Sequence, residues 1–371
     1  MGAGSAGLLL AALLQRQGHR VSLMERAPQV RTDGCGILLV KSGVEALAAA
    51  QLPGLLERVL AAGVPVSRFV VRNLRGDLIN SSPAEREPGE LPSLLVPRRA
   101  ILEALEAHLE PGVLMVKAEL LNWHQEAPPA AGSAPAGEGP VQLVLADGSR
   151  WQGDLLVGAD GLFSKVAPLL DPQRHLNYLG DRVWRGVVPD GTFCRDGTFF
   201  VYARGRGVYA NVFDLGLDAA GQPLTHWGLF QEEALPAARQ EQRRLLDEPV
   251  PEAALAKLPA DLAALMRATP QEAVVANWSF DIDPLPHLVR GRVALIGDAA
   301  HAMSSSQARG MTAGLEDAVC LARHLASTAD LGAALKDYEA ERLPVVHGYQ
   351  QRSRSVSART GRLRTPQVQQ A

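Results

Sequence analysis

Apolar and polar positions along the chain follow two periods, and the changes between them mark out its elements. Residues 8–14 are a continuous apolar run, Leu-Leu-Leu-Ala-Ala-Leu-Leu, which starts behind a glycine-rich turn. The run predicts a buried helix to about Gln17, with Gly18 as its stop. Arg20–Glu25 has the mixed apolar look of a buried parallel strand. Gly43–Ala50 and Leu52–Ala62 read as helices, and Phe69–Arg72 with Asp77–Ile79 read as a hairpin turning at Gly76. Arg99–Leu109 is amphipathic, with Ile101, Leu102, Leu105 and Leu109 on one stripe. Strands are predicted over 113–117, 119–125, 141–146 and 152–157, with Asp147-Gly148 as a turn. The Ala/Pro/Gly-rich interval Ala127–Pro140 reads as a mobile surface loop.

Between 180 and 280 the pattern changes. Aromatic residues concentrate there, among them Trp184, Phe199, Phe200, Tyr209, Phe213, Trp227 and Phe230. Short runs separated by Gly/Asp turns predict an antiparallel sheet, followed by a helical insert over about Leu235–Arg267. Val293–Ile296 returns to a buried strand, Met311–Ala326 to a helix, and Leu331 onward to a helical tail that ends in the polar stretch from Ser353. The fold class is α/β (α+β).

Composition narrows the function. The chain has 371 residues, 47% hydrophobic and 21% charged, which suits a globular protein and excludes wholesale disorder. A net charge of -3 offers no basic surplus for nucleic acid. Five lysines stand against 32 arginines, which reads as coding bias and not as a binding signal. Three widely spaced cysteines, Cys35, Cys194 and Cys320, argue against a disulfide framework and against a zinc site. They fit a cytoplasmic location, and no metal is expected. The Leu8–Leu14 run lacks a preceding basic segment and is far short of the ~20 residues of a membrane span.

Three motifs carry chemistry. Gly2, Gly4 and Gly7 form G-x-G-x-x-G at a helix start, with Ser5 and Ala6 inside it. The first glycine permits a tight turn, the second a close approach of a pyrophosphate, and the third close helix packing. Glu25 ends the next strand, where an acid accepts hydrogen bonds from an adenosine ribose. The second motif is Gly158-Ala159-Asp160-Gly161 at a strand end, which is also an ordinary turn sequence. The third, Gly297-Asp298-Ala299-Ala300-His301-Ala302, also follows a strand and leads to Gly310 and Met311 at the next helix. Asp298 suits a polyol hydroxyl; its plain alternative is a helix cap. His301 is expected to be structural rather than a base.

In this order the motifs resemble the group A flavoprotein monooxygenase family with the para-hydroxybenzoate hydroxylase fold, over nearly the whole chain. The resemblance implies a Rossmann-like FAD-binding domain in three pieces (1–66, 95–179 and 281–330). It also implies an antiparallel-sheet substrate domain (67–94 and 180–280) and a C-terminal helical tail (331–371). Gly2, Gly4, Gly7, Glu25 and Arg26 would then hold the ADP part of FAD, and Arg98 would lie near its pyrophosphate. Gly34, from an Arg31/Gly34/Gly36/Ile37 match, would lie near the flavin, Asp160 near FAD and NAD(P)H, and Asp298 on the ribityl chain.

The implied activity is FAD-dependent monooxygenation. NADH or NADPH serves as transient reductant, and O2 and a small organic molecule are co-substrates, through a flavin hydroperoxide. Another FAD reductase or oxidase of this fold and a non-catalytic flavin-binding protein are the alternatives. No catalytic side chain beyond the flavin is singled out.

Two departures stand out. The family's proline and "GQG" after the third motif are replaced by Ser304–Gly310, and there Arg309 is expected to stabilise an anionic reduced flavin, or else to face solvent or pair with Glu316 or Asp317. A glycine turn of this kind normally follows a strand, so a longer natural N-terminus is expected.

Overall fold

The spacing of the glycine turn and the apolar run behind it produce one helix, α1 (Ser5–Arg16), whose residues from Ala6 to Leu13 are all buried. The computed structural model describes residues 1–32, 35–125, 139–218 and 220–359. The remaining helices are α2 (Lys41–Ala49), α3 (Leu55–Ala62), α4 (Arg98–Glu106), α5 (Ala167–Leu170) and α6 (Arg239–Leu246). They continue with α7 (Glu252–Leu255), α8 (Ala260–Arg267), α9 (Asp298–His301), α10 (Gly310–Ser327) and α11 (Leu331–Arg359). The early strands are β1 (Leu23–Met24), β2 (Gly36–Leu39), β3 (Val64–Pro65), β4 (Arg68–Arg72), β5 (Leu78–Pro83) and β6 (Leu94–Pro97). The middle strands are β7 (Leu114–Met115), β8 (Leu120–Gln125), β9 (Val141–Leu145), β10 (Arg150–Gly153), β11 (Leu156–Gly158) and β12 (Leu176–Pro189). The last are β13 (Thr198–Gly205), β14 (Val208–Leu217), β15 (Pro223–Glu232), β16 (Val274–Ile282), β17 (Val289–Arg290) and β18 (Val293–Leu295).

Two bodies result. In the first, β1 pairs parallel with β7, and β11 pairs parallel with β18. The first residues of the chain run between these pairs. The Gly2 N–H donates to the Met24 carbonyl at 2.7 Å, the Ala159 N–H to the Met1 carbonyl at 2.8 Å, and the Met1 amino group to the Val157 carbonyl at 2.8 Å. Small residues let α1 and α10 pack closely: a Cβ on Gly314 would lie 3.1 Å from the Ala6 Cβ. The second body is a seven-stranded sheet, ordered β16-β12-β15-β14-β13-β4-β5. One face buries Trp184, Trp227, Leu229, Leu255 and Leu262 in a core shared with α7 and α8. Its other face meets the first body through β2, whose Gly36 has no room for a side chain: a Cβ there would lie 2.6 Å from the Phe213 ring.

Several expectations change. The insert at 235–267 is three short helices, because Pro251 and Pro259 stand as N-caps where a continuous helix would need N–H donors. The strand expected over 152–157 is two, β10 and β11, and Arg20–Glu25 contributes only Leu23–Met24 to a ladder. The chain stays helical through residues 353–359, where the polar composition suggested a tail. Most of the loop expected over Ala127–Pro140 lies outside the described residues, as does Gly34. Among the described residues no helix is long and apolar enough to cross a membrane.

Candidate functional site

Three strand ends meet on one side of the first body. At the first, Gly2 has φ +97°, and a Cβ there would fall 2.4 Å from the Ala159 carbonyl oxygen. Glycine alone fits such a turn. A Cβ on Gly7 would lie 2.0 Å from the Gly2 carbonyl oxygen, so the helix starts directly against the turn. At Gly4 nothing lies within 4 Å of a Cβ, and the backbone is open to an approaching group. The first turn of α1, which holds half-buried Ser5, has no side-chain cap and no acid. Its leading N–H groups are left for an anion. Ala6 is buried and serves the packing on Gly314.

The Glu25 carboxylate closes the turn, accepting from the Ala3 N–H at 3.0 Å and from the Ala27 N–H at 2.8 Å. Each oxygen keeps a lone pair for a ligand hydroxyl. Exposed Arg26 and half-buried Arg98 border the same cavity, about 190 Å³, together with Gly2–Gly4, Glu25, Asp160 and Lys165. Arg98 is fixed by a 2.6 Å bond to the Arg31 carbonyl. A larger cavity of about 550 Å³ lies between residues 19–24 and 152–157, toward the amino ends of the strands. Open α/β sheets bind ligands at the carboxyl ends, where the smaller cavity is.

At the second strand end Asp160 is engaged locally. It accepts from the Ser164 hydroxyl at 2.6 Å and from the Lys165 and Val166 N–H groups at 2.6 and 3.3 Å. That is the cap-like use a turn sequence allows. At the third, Gly297 takes φ +61° and delivers Asp298 to the start of α9. The Asp298 side chain is exposed and accepts no hydrogen bond from the described residues. Burial pushes its pKa up, against the opposing charges of His301, Arg174 and Arg98. Gly310 stands beside it, at 3.6 Å from Asp298 Oδ1 to a Cβ, and half-buried Met311 follows, packed on the main core.

Sequence reasoning missed three features. Arg174 donates to the Leu162 carbonyl at 2.9 Å and to the Asp298 carbonyl at 3.5 Å, tying the second and third strand ends. Burial lowers its pKa, and Asp160, Asp298 and Asp171 oppose this. It lies in no motif, so no local signal marks it. The second feature is Asp317, fully buried on α10. Its Oδ2 takes the Gly297 N–H at 2.9 Å and lies 2.5 Å from His301 Nε2, while Oδ1 takes the Arg342 Nε–H at 2.7 Å. His301 is therefore an internal strut of the loop, as expected for a structural histidine.

Arg309 pairs directly with neither Glu316 nor Asp317. It donates to the Ser42 hydroxyl at 2.9 Å and covers the Tyr349 ring at 5.1 Å, and Tyr349 in turn holds Glu316. The loop before it is sewn to α11 by Ser304 on Ser357 at 2.7 Å and Ser306 on the Ser353 carbonyl at 2.9 Å.

The third feature is the sheet face turned toward the first body. His226 lies there, with Nδ1 accepting the Gly36 N–H at 3.0 Å; burial and then nearby Arg185 push its pKa down to about 3, so it is a neutral acceptor. Arg185 lies on the same face. The signal was available: Val-Trp-Arg-Gly-Val-Val carries one charge in an apolar strand at the alternate position to buried Trp184.

Cys320, His324 and Glu341 also converge. The Arg323 guanidinium already stands among them, at 2.6 Å from Glu341, 3.4 Å from His324 and 3.6 Å from Cys320.

Residues 1–353 match a family described as FAD binding domain. The chain is 31% identical over 352 residues to the aurachin C monooxygenase/isomerase of Stigmatella aurantiaca, covering 92% of this chain and 84% of that protein. It is 30% identical over 364 residues to the salicylate hydroxylase of Pseudomonas putida, covering 90% and 78%. In structure it is similar to Klebsiella pneumoniae HpxO complexed with FAD and uric acid. The TM-score is 0.79 at 24% identity, over 97% of this chain and 87% of that one.

Proposed function

Because the chain belongs to the FAD binding domain family, we propose that it is a monooxygenase. It consumes NAD(P)H and O2 to hydroxylate or epoxidise a small organic molecule held between its two bodies. One observation carries the reading: an acid-free helix start, the Glu25 carboxylate and two arginines border one cleft at the carboxyl ends of the strands.

FAD fits this cleft. The open backbone at Gly4 and the uncapped start of α1 suit its pyrophosphate, with Arg98 and Arg26 alongside. Glu25 has lone pairs left for the ribose hydroxyls, and Asp298 has both oxygens free for a polyol chain. When bound, FAD supplies two-electron chemistry with NAD(P)H and activation of O2 for transfer of one oxygen atom. The chain's own part is to orient and enclose. Arg174 fixes the Asp298 turn, Asp317 with His301 holds Gly297 in its left-handed conformation, and the sheet face carrying Arg185 and His226 roofs the reacting region. Asp160, occupied by its own turn, shapes the cleft wall through its backbone.

The three unpaired cysteines, two of them buried, suit a reducing cytoplasm. The test is an NAD(P)H oxidation screen across aromatic compounds under ¹⁸O2 with mass detection. A product gaining one labelled oxygen supports the reading. Bound FAD that consumes NAD(P)H without incorporation across the screen points to an oxidase, and absence of FAD in the purified protein defeats both.

A further inference from the structure

Away from the cleft, Cys320, His324 and Glu341 meet between α10 and α11. Cys320 and His324 stand one turn apart on α10, so their side chains share a face. Glu341 comes from the facing helix, 17 residues from His324. One ligand atom of each lies within 4.8 Å of the others, and His324 Nε2 is 3.0 Å from Glu341 Oε2. Among the described residues this is the one place where three such side chains come within reach of a single ion. Cysteine count and histidine spacing show nothing of it, because the third member lies on another helix.

The three groups surround a cation already. The Arg323 guanidinium stands at 2.6 Å from Glu341, 3.4 Å from His324 and 3.6 Å from the Cys320 sulfur. Arg323 above all, with His324 and Cys320, holds the Glu341 carboxyl down to about 2, so it is ionised. Of the three neighbours only this carboxylate is a strong partner for arginine. A neutral imidazole and a sulfur are weak acceptors for it, and are better ligands for a soft metal ion. The guanidinium is also easily displaced. Its side chain is 55% exposed and free to turn into water, and an exposed ion pair of this kind adds little stability. Cys320 is buried and His324 only 13% exposed, so packing holds these two in place.

We propose that Cys320, His324 and Glu341 bind a zinc ion, and that Arg323 is the side chain that yields its place. Thiolate, imidazole and carboxylate are zinc's ligand types, and a set containing sulfur disfavours magnesium and calcium. With bonds of about 2.0–2.3 Å, tetrahedral zinc ligands lie ~3.3–3.6 Å from one another. The widest pair here closes by roughly 1 Å, within the reach of side-chain torsions. Water completes the fourth position. The Cys320 proton leaves to solvent as the sulfur–zinc bond forms, and nothing is oxidised or reduced. Burial pushes this thiol up to about 12, which weakens the metal's hold but leaves the cysteine inert without it. Cys320 lies ~15 Å along α10 from Gly310, at the helical rise per residue. The ion therefore joins α10 to α11 about one turn beyond the Asp317–Arg342 contact, as a staple behind the third motif and apart from the cofactor cleft.

The experiment titrates tag-free, FAD-loaded protein with zinc chloride against a coloured chelator, and reads the ligands by zinc-edge X-ray absorption. One zinc per chain binds at about 10 µM or tighter, with one sulfur neighbour at about 2.3 Å. The melting temperature rises as zinc is added. Cys320→Ser and His324→Gln each weaken binding by about 30-fold or more. Arg323→Gln tightens it by about threefold or more, because no guanidinium has to leave. Arg323 is exposed, so this variant keeps its fold where Cys320→Ser does not, and a merely structural cluster gives it no gain in zinc affinity.

Binding weaker than that limit, a spectrum without sulfur, or an Arg323→Gln variant that binds zinc no tighter overturns the site. So does an affinity that survives both Cys320→Ser and His324→Gln.

Discussion

Asp317→Asn tests the strut beneath the third motif. The wild-type carboxylate accepts from three buried donors, Gly297 N–H, His301 and Arg342. An amide of the same shape has one accepting atom and one donating atom, so at least one of the three meets a donor where it needs an acceptor. Removing one partner of a buried pair typically costs ~3–5 kcal/mol. Arg342 retains Glu316 at 3.0 Å, so we expect the lower end, about 3 kcal/mol against a total of ~5–15.

The pH dependence follows from the direction of the shift. Burial alone would raise the Asp317 pKa, but His301, Arg342 and the Gly297 amide hold it below its ordinary 3.8. A carboxyl whose folded pKa is depressed contributes stability above its unfolded value and loses it as pH falls through the folded one. The gap between wild type and variant is therefore full at pH 7 and closes below about pH 4. Urea unfolding of the apoprotein at pH 7, 5 and 3.5, analysed for midpoint and slope, measures it. A difference under about 1 kcal/mol at pH 7, or one that does not shrink in acid, refutes the strut.

Asp298→Asn has the opposite signature: among the described residues the carboxylate accepts no hydrogen bond, and its surroundings disfavour its charged form, so apoprotein melting should not fall, while FAD affinity drops by ~1–3 kcal/mol in a fluorescence titration. Loss of apoprotein stability would show instead that Asp298 is structural. Ala308 holds φ +53°, a conformation costly for a side chain, so Ala308→Gly should stabilise the protein by about 0.5–1 kcal/mol; a lower melting temperature would mean the loop tolerates no added freedom. Gly4→Ala adds a methyl into open space and should leave apoprotein stability unchanged while weakening FAD binding, and an unchanged dissociation constant would place the pyrophosphate elsewhere.

What the sequence revealed was what its neighbours in sequence determine. The glycine turn, the α1 run and the Gly297-Asp298 turn are local, and steric demands within a few residues fix them. Glu25 was legible because a strand end places it beside the turn, where it binds the Ala3 N–H. Asp160 was ambiguous, since the same Asp-Gly pair serves a ligand or its own turn, and here its carboxylate serves the turn. Arg174 and Asp317 gave no such sign. Their partners lie on other elements, as with Arg174 and Asp298, 124 residues apart, or Asp317 and Arg342, 25 apart. The insert differs from one long helix for a local reason: Pro251 and Pro259 each start a new helix where a continuous one would need their N–H groups.

The strut between Asp317 and Gly297 also bears on how the protein comes into being. The cleft is built from residues 2–25, Arg98, the 158–161 turn and the 297–310 loop. The loop is held by Asp317 and by α11, and Arg309 reaches back 267 residues to Ser42. At ribosomal speeds of ~5–20 residues per second, roughly 15–60 s separate the emergence of α1 from that of Asp317. For that time the apolar helix has neither α10 to cover it nor a finished site behind it. Capture of the cofactor is therefore a late, post-translational event that closes a long-range topology, and it comes after the nascent chain has passed its most aggregation-prone stage.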